Sequence, residues 1–369
     1  MSIILRSDRL LCNTLRAVFF SGLLALPLAA EDQRPAVADG PFDKPHVRTT
    51  GRGTSLGGYI DHELFWNNKK KTFDQHRFIP FIHGEVSDRI HVMAELEFEH
   101  GGLLKGSGDS DGEIKLEFAT LDISFAESFS YRGGVILSPL GKFNLNHDSP
   151  LNDLSNRPLV AREIVPTTLS EAGMGFFGKV YPGDESVLGY ELYLVNGFNE
   201  AAGARIRSGR GSHKADNNDE KKSLVGRLNY SPFLGLDLGG SFHRGAYDDK
   251  GEHNLAIYAA DISYNRGPLD FKGEFASASI DGAVEDARSG YHAQTAYHFL
   301  PGVLSQFPNS VCTASFRYDC IDLGSSEETR LTFGLNFRPE EETVMKLDYE
   351  IYDRDEDSNG LIFSVASYF

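Results

Sequence analysis

From residue 54 to the end of the chain one pattern recurs: roughly ten residues in which apolar and polar side chains alternate, followed by a turn. The clearest stretch is 88–99. Ile90, Val92, Ala94, Leu96 and Phe98 take the even positions, and Arg89, His91, Met93, Glu95, Glu97 and Glu99 the odd ones. Successive side chains of a strand point to opposite faces, so this segment is predicted to be a ribbon with one greasy and one charged face. A helix would smear both kinds around every side. Residues 343–352 repeat the pattern, with Met345, Leu347, Tyr349 and Ile351 opposed to Lys346, Asp348 and Glu350. So do residues 330–338, with Leu331, Phe333, Leu335 and Phe337 against Arg330, Thr332, Asn336 and Arg338.

Sixteen such strands are predicted, at 55–66, 74–86, 88–99, 113–126, 130–138, 172–182, 186–197, 222–231, 234–245, 254–265, 268–279, 289–299, 311–322, 329–338, 342–352 and 360–369. The phase slips near Ala119 and Thr120, where Ile114, Leu116 and Phe118 give way to Leu121, Ile123 and Phe125; a β-bulge can absorb it. The connections alternate as well. Short links at 87–88, 126–129, 182–185, 231–234, 265–268 and 338–342 are interleaved with longer ones at 67–73, 100–112, 139–171, 198–221, 246–253, 280–288, 323–328 and 353–359. Only 299–310 is long where a short turn is due. Short turns at one end and long loops at the other are the habit of an outer-membrane barrel.

Alternation alone fits two soluble sandwiches equally well. Three features favour a closed barrel. Residues 1–30 read as a secretory signal, with Arg6, Arg9 and Arg16 ahead of an apolar core at 17–28 and Ala29-Ala30 before the cut; the alternative is a single N-terminal anchor helix. The chain ends at Phe369, with Phe363 and Val365 on the same phase, which resembles the signal read by the outer-membrane assembly machinery. Nothing inside 54–369 looks like a linker, whereas 31–53 is polar, rich in Pro, Gly and Asp, and reads as a flexible leader. The fold expected is therefore all-β: a sixteen-stranded antiparallel transmembrane β-barrel in the outer membrane of a Gram-negative bacterium, in contact with lipid and lipopolysaccharide.

Composition narrows the function. The apolar core at 17–28 is interrupted by Ser21, Gly22 and Pro27. A spanning helix needs ~20 apolar residues, so a bundle of membrane helices is excluded. The net charge is −17, which argues against nucleic acid as a partner. Without residues 1–30 the balance is 33 basic to 52 acidic residues, or −19. Cys312 and Cys320 lie eight residues apart, ~26 Å along a single strand, beyond the ~7 Å a disulfide tolerates. They are read as unpaired on one strand, the alternative being a bridge across a loop.

A barrel of sixteen strands leaves a water-filled lumen, whose wall is the polar phase of each strand. That phase holds the acids Asp61, Glu63, Glu85, Glu95, Glu97, Glu99, Glu117, Glu191, Glu274, Asp319, Asp348 and Glu350. Its bases are Arg77, Lys115, Arg132, Lys179, Arg227, Lys272, Arg317, Arg330, Arg338 and Lys346; the phase slip leaves the facing of Lys115 and Glu117 open. The first, third and fifteenth strands are mainly acidic, while the fifth, sixth and eighth carry Arg132, Lys179 and Arg227. Opposed charges across a pore filter ions; the plainer reading is that they keep the lumen wet. The pore-lining residues singled out are Arg77, Glu95, Glu97, Arg132, Lys179, Arg227, Lys272, Arg330, Lys346 and Glu350.

The longest connection, 139–171, carries Leu151, Leu154, Leu159, Val160, Ile164 and Val165, which an exposed loop would not want. Folding it into the barrel would bury them against the wall. Lys142, His147, Asp148, Asp153, Arg157, Arg162 and Glu163 would then line a constriction. The alternative is an external lid or a subunit contact.

The segments Arg77-Phe78-Ile79-Pro80-Phe81 and Ala94-Glu95-Leu96-Glu97-Phe98-Glu99-His100-Gly101-Gly102 resemble the phosphate-selective porin O/P family. So do His292-Ala293-Gln294-Thr295-Ala296-Tyr297 and Thr332-Phe333-Gly334-Leu335-Asn336-Phe337. The resemblance spans most of 54–369. It implies a sixteen-stranded trimeric porin with an inward-folded third loop. Phosphate-selective members line the pore with an arginine ladder and central lysines; this wall mixes acids with bases, and no ligand residues are carried over.

No other chemistry stands out. Residues 353–360 faintly resemble a calcium loop but have Ser358 and Ser364 where Gly and a carboxylate are needed. His62, His76, His83 and His91 are spaced for no metal site, and neither a cofactor motif nor a recognisable Ser–His pair is present. The expected function is a porin for passive diffusion of small hydrophilic solutes or ions, phosphate or other anions among them, and not an enzyme. The alternatives are a non-conducting structural or adhesin barrel and, further off, an outer-membrane enzyme.

Overall fold

The computed structural model describes residues 53–101, 112–210 and 221–369. The signal at 1–30, nearly all of the 31–53 leader and most of the 100–112 loop lie outside the described residues. Sixteen strands follow in order: β1 (Thr54–Asn67), β2 (Lys71–Ser87), β3 (Ile90–Glu99), β4 (Glu113–Ala126), β5 (Phe129–Leu137), β6 (Ser170–Gly183), β7 (Ser186–Val195) and β8 (Ser223–Phe233). Then come β9 (Leu236–Ala246), β10 (Asn254–Arg266), β11 (Leu269–Ile280), β12 (Ala287–Phe299), β13 (Val311–Asp322), β14 (Glu327–Glu340), β15 (Thr343–Tyr352) and β16 (Gly360–Tyr368).

Each strand pairs antiparallel with its sequence neighbours, and β16 returns to β1, so the sheet has no edge. The seam runs from Tyr59↔Tyr368 to Asn67↔Gly360. Phe369 finishes it: its N–H donates to the Gly58 carbonyl, and its ring stacks on Phe78 at 5.7 Å.

Burial runs opposite to that of a soluble domain. On β15, Lys346, Asp348 and Glu350 are buried, while Met345, Leu347 and Tyr349 are exposed. β3 behaves alike, with Glu95 and Glu97 buried and Val92 exposed. The greasy phase of the sequence thus faces outward all round the barrel, as lipid requires, and closure leaves no unpaired strand edge within that band. Aromatic side chains meet near one short turn, where Phe129 stacks on Phe176 at 4.9 Å and lies tilted against Phe125 at 5.8 Å.

The predicted phase slip is a bulge, displaced slightly toward the N-terminal end of β4. Pairing steps from Glu95↔Phe118 to Leu96↔Leu116. Glu117 and Phe118 therefore both turn inward, and Phe118 packs with Phe81, Met93, Leu137 and Leu145. The connection expected at 67–73 shrinks to 68–70, because β2 begins earlier than its alternation suggests. The irregular link at 300–310 stands at the short-turn end, as its place in the alternation implied and in spite of its length. Cys312 and Cys320 share β13, and Cys312 is free, so the two are not joined to each other.

The loop between β5 and β6 turns into the barrel. Its 3-10 turn Ser149–Leu151 lies against β1 and β16, and its helix Leu159–Glu163 lies against β11, β12 and β13. Leu159, Val160, Ile164 and Val165 are fully buried and pack with Val195, Val225, Leu255, Ile257, Ile280 and Ile321. Among the described residues the largest apolar cluster is thus inside the barrel, under the loop.

An arginine in the outward band has no partner there and faces hydrocarbon. Leu347→Arg is expected to destabilise the barrel by ~2–4 kcal/mol, and Leu347→Ala by far less. Urea titration of folding into lipid vesicles measures the difference.

Candidate functional site

The inward loop is tied to the wall by side chains of the charged phase. Lys346 Nζ donates to the Ser149 carbonyl at 2.7 Å, and Arg338 Nη1 to the Pro150 carbonyl at 2.9 Å. Asn336 reaches the Asp153 carbonyl at 2.8 Å, and Asp348 accepts the Ser155 N–H at 2.6 Å. Glu350 accepts from Asn156 at 2.7 Å. Arg317 and Arg330 donate to the carbonyls of Asn156 and Arg157 at 2.9 and 2.6 Å. Asp319 accepts the Leu159 N–H at 2.9 Å, where the helix begins. A loop without long regular structure carries many backbone groups needing partners, and a charged wall supplies them.

Several residues singled out from the sequence therefore act as tethers. Arg330 also pairs with Asp319 at 3.1 Å and Glu350 at 3.2 Å, and Lys346 and Glu350 lie under the loop. Arg132 is held by both oxygens of Asp122 at 2.9 Å, and Arg227 by Asp261 at 2.7 and 2.8 Å. The segregation of sign between strands is thus largely cancelled within neighbouring pairs. Glu95 is fully buried, Lys272 half-buried, and Lys179 exposed near the short turns.

Within the loop, Lys142 pairs with Asp237 of β9 at 3.2 Å. His147 Nε2 is 2.9 Å from Glu117, and Asp148 accepts from the Tyr368 hydroxyl at 2.9 Å. Asp153 meets Arg338 at 3.3 Å. Burial pushes the Asp153 carboxyl up, but Lys272 and Arg338 outweigh it and hold it below its ordinary value. Arg162 and Arg205 both grip Glu163, at 2.9 and 2.8 Å. Burial again raises that carboxyl, and the two guanidiniums bring it below its usual range.

Arg205 belongs to the loop between β7 and β8, where sequence reasoning named no site residue. Its two 3-10 turns, Glu200–Gly203 and Ile206–Gly209, bury Ala202 and Ile206 in the same apolar cluster as the third loop. This folding presents two more arginines, Arg207 and Arg210, beside Arg157 of the third loop. Arg207 and Arg157 both donate to the Thr167 carbonyl, Arg157 at 2.6 Å, and Arg210 donates to the Thr168 carbonyl at 3.0 Å. The signal was legible: Arg205, Arg207 and Arg210 fall within one long loop that also holds apolar residues.

Between these loops and β2–β3 lies a cavity of about 280 Å³. Arg77, Arg157, Arg162, Arg205, Arg207 and Arg330 border it, with His76, His100 and His147. Glu99 is the one carboxylate on its lining. Arg77 is partly balanced by Glu97 at 3.2 Å and Glu99 at 3.1 Å. Arg162 and Arg205 share Glu163, and Arg330 has Asp319 and Glu350, which leaves Arg157 and Arg207 against other guanidiniums. Burial and the neighbouring Arg77 and Arg207 push Arg157 down to about 10, and burial and Arg210 do the same to Arg207, so both stay charged at neutral pH.

No protein-family model matches the chain, so the resemblance to the phosphate-selective porin O/P family gains no support there. An uncharacterized protein of Aquifex aeolicus (strain VF5) is 27% identical, over 91% of this chain and 84% of its own length. Among solved structures, the chain is similar to an anion-selective porin from Comamonas acidovorans, with TM-score 0.58 and 12% identity, covering 86% of this chain and 99% of that one. It is also similar to OmpT (in-vitro folded), an outer membrane protein of Vibrio cholerae in its trimer form, with TM-score 0.53 and 11% identity over 86% and 98%. A third is the outer membrane channel DcaP of Acinetobacter baumannii, with TM-score 0.52 and 11% identity over 86% and 98%. At such identities the likeness is one of fold.

Two predictions follow from the tethers. Arg330→Ala leaves buried carboxylates short of a partner and is expected to destabilise the barrel by ~3–5 kcal/mol in urea unfolding. The second concerns the depressed Glu163 carboxyl. Its contribution is whole above the ordinary carboxylate value near ~4 and is lost as pH falls through the lower folded value. Glu163→Gln should therefore lower the melting temperature at pH 7, and the gap from the parent protein should close in strong acid.

Proposed function

We propose that the chain is an outer-membrane channel of a Gram-negative bacterium, and that its constriction favours small hydrophilic anions. One observation carries the preference: a cavity bordered by six arginines, of which Arg157 and Arg207 have no carboxylate within ion-pair distance among the described residues, between two inward-folded loops and the wall, in a chain whose net charge is −17. The local field at a narrow, low-dielectric passage decides which ion enters, and the total charge does not. Arg157 and Arg207 are the residues expected to face passing solutes most directly, and Lys142, His147, Asp148, Asp153, Arg162 and Glu163 to shape and hold the constriction. The sixteen-stranded fold, shared with an anion-selective porin and an outer membrane channel, supports the reading. A homotrimer is part of the proposal, supported by the trimer form of one structural relative. So are contact with lipopolysaccharide and recognition of the Phe369 terminus by the assembly machinery.

Purified protein in a planar bilayer should give discrete conductance steps, and a salt gradient should give a reversal potential of anion-preferring sign. Charge reversal at both positions, Arg157→Glu with Arg207→Glu, should move that potential toward cations. Removing part of 147–163 should raise the conductance. Silent bilayers from correctly folded protein would favour a non-conducting structural or adhesin barrel instead.

A further inference from the structure

We infer that the lumen wall carries a binding site for a divalent transition-metal cation, formed by Asp61, Glu63 and His76 where β1 meets β2. Arg77, Ile79 and Phe81 face the interior from β2, so regular alternation would turn His76 outward to lipid. A bulge prevents this. Pairing steps from Asp61↔Arg77 to Glu63↔Asp74, two residues on one strand against three on the other. The imidazole is thereby brought to the interior, where it borders the arginine-lined cavity.

His76 Nδ1 stands 3.1 Å from Asp61 Oδ2 and 3.4 Å from Glu63 Oε1, and the ligand atoms all lie within 4.8 Å of one another. Nδ1 carries at most one hydrogen, so it cannot serve both carboxylates. Glu63 is only 3% exposed, and among the described residues His76 is the one group within ion-pair distance of its carboxylate, with the Lys346 ammonium acting on it from farther away. Two buried carboxylates thus share one imidazole nitrogen, and an ion bound among the three would serve both at once. An ion about 2.0–2.2 Å from nitrogen and oxygen ligands sets tetrahedral neighbours about 3.3 Å apart, close to the two spacings that involve Nδ1.

The surroundings suit the role. Asp61 is oriented by the Ser149 hydroxyl of the third loop at 2.6 Å and the Ser364 hydroxyl of β16 at 3.0 Å, the kind of support that metal-binding carboxylates receive. Arg77 is turned to Glu97 and Glu99, and Lys346 donates to the Ser149 carbonyl, so neither neighbouring cation sits among the three ligand atoms. The cavity gives access and water for the remaining positions. One imidazole with two carboxylates suits zinc, copper or nickel better than magnesium or calcium. Bound there, the ion would fasten the wall to the third loop through Asp61 and Ser149 and remove negative charge beside the passage. That last effect rests on the channel reading; binding does not.

A second group, Asp248, Glu252 and His253, also comes together, but Asp248 already accepts the N–H groups of Glu252 and His253, as in an ordinary turn. It serves as the control. The full chain, purified without a histidine tag and stripped with a chelator, would be titrated with Zn²⁺ by calorimetry, and with Co²⁺ by visible absorption. One ion per chain is expected. His76→Gln and Glu63→Gln should each weaken binding by about tenfold or more, since loss of supporting residues alone costs 10–100-fold. His253→Ala should leave it unchanged. Absence of binding, full binding by a folded His76→Gln or Glu63→Gln barrel, or loss in His253→Ala would each overturn the site. Should one lumen variant fail to fold, the other gives the result. Zinc binding with silent bilayers would sink the channel reading and spare the site.

Discussion

Everything in this structure depends on the closure of β16 onto β1. Hydrocarbon offers no partner for a backbone N–H or C=O, so a sheet in lipid must have no edge. The seam from Tyr59↔Tyr368 to Asn67↔Gly360 meets that demand. Once the sheet is closed, every strand has an inside and an outside, and a two-residue period sorts side chains between them. The greasy phase goes to lipid. The charged phase, which water alone would hydrate in an empty lumen, becomes a set of donors and acceptors with nowhere to go but inward.

The third loop uses that set. Its apolar residues, Leu159, Val160, Ile164 and Val165, bury against wall residues near one end of the barrel, while its backbone is satisfied by Lys346, Asp348, Glu350, Arg317, Arg330 and Asp319. The fourth loop closes over it through Ala202 and Ile206 and through the arginines that reach Thr167 and Thr168. Most wall charge is neutralised in pairs such as Arg132 with Asp122 and Arg227 with Asp261. The charge that remains concentrated is arginine, at the meeting of the two loops. On the proposed reading, a chain that is acidic overall thus presents arginine to passing solutes.

Much of this was legible in the sequence, for a definite reason. Alternation is a local property, and the strands come out where Leu347 and Lys346, or Val92 and Glu95, are read in phase. The third loop was legible because apolar side chains in a long connection need a place to bury. Three things were not. Phe118 carries no mark of its inward turn, because a bulge depends on the partner strand. His76 is the same case: its placement against Asp61 and Glu63 exists only in the register of β1 on β2. And the tethering roles of Lys346, Glu350 and Arg330 depend on what lies across the lumen, which a periodicity does not contain.

The most direct test of the two-faced wall is a scan along β15. Single cysteines at 345–350, in a chain whose natural cysteines are replaced by serine, would be labelled with an environment-sensitive dye while unfolded, then folded into vesicles containing a lipid-borne quencher. The account predicts strong quenching at 345, 347 and 349 and little at 346, 348 and 350. Uniform quenching, or the opposite alternation, would contradict it.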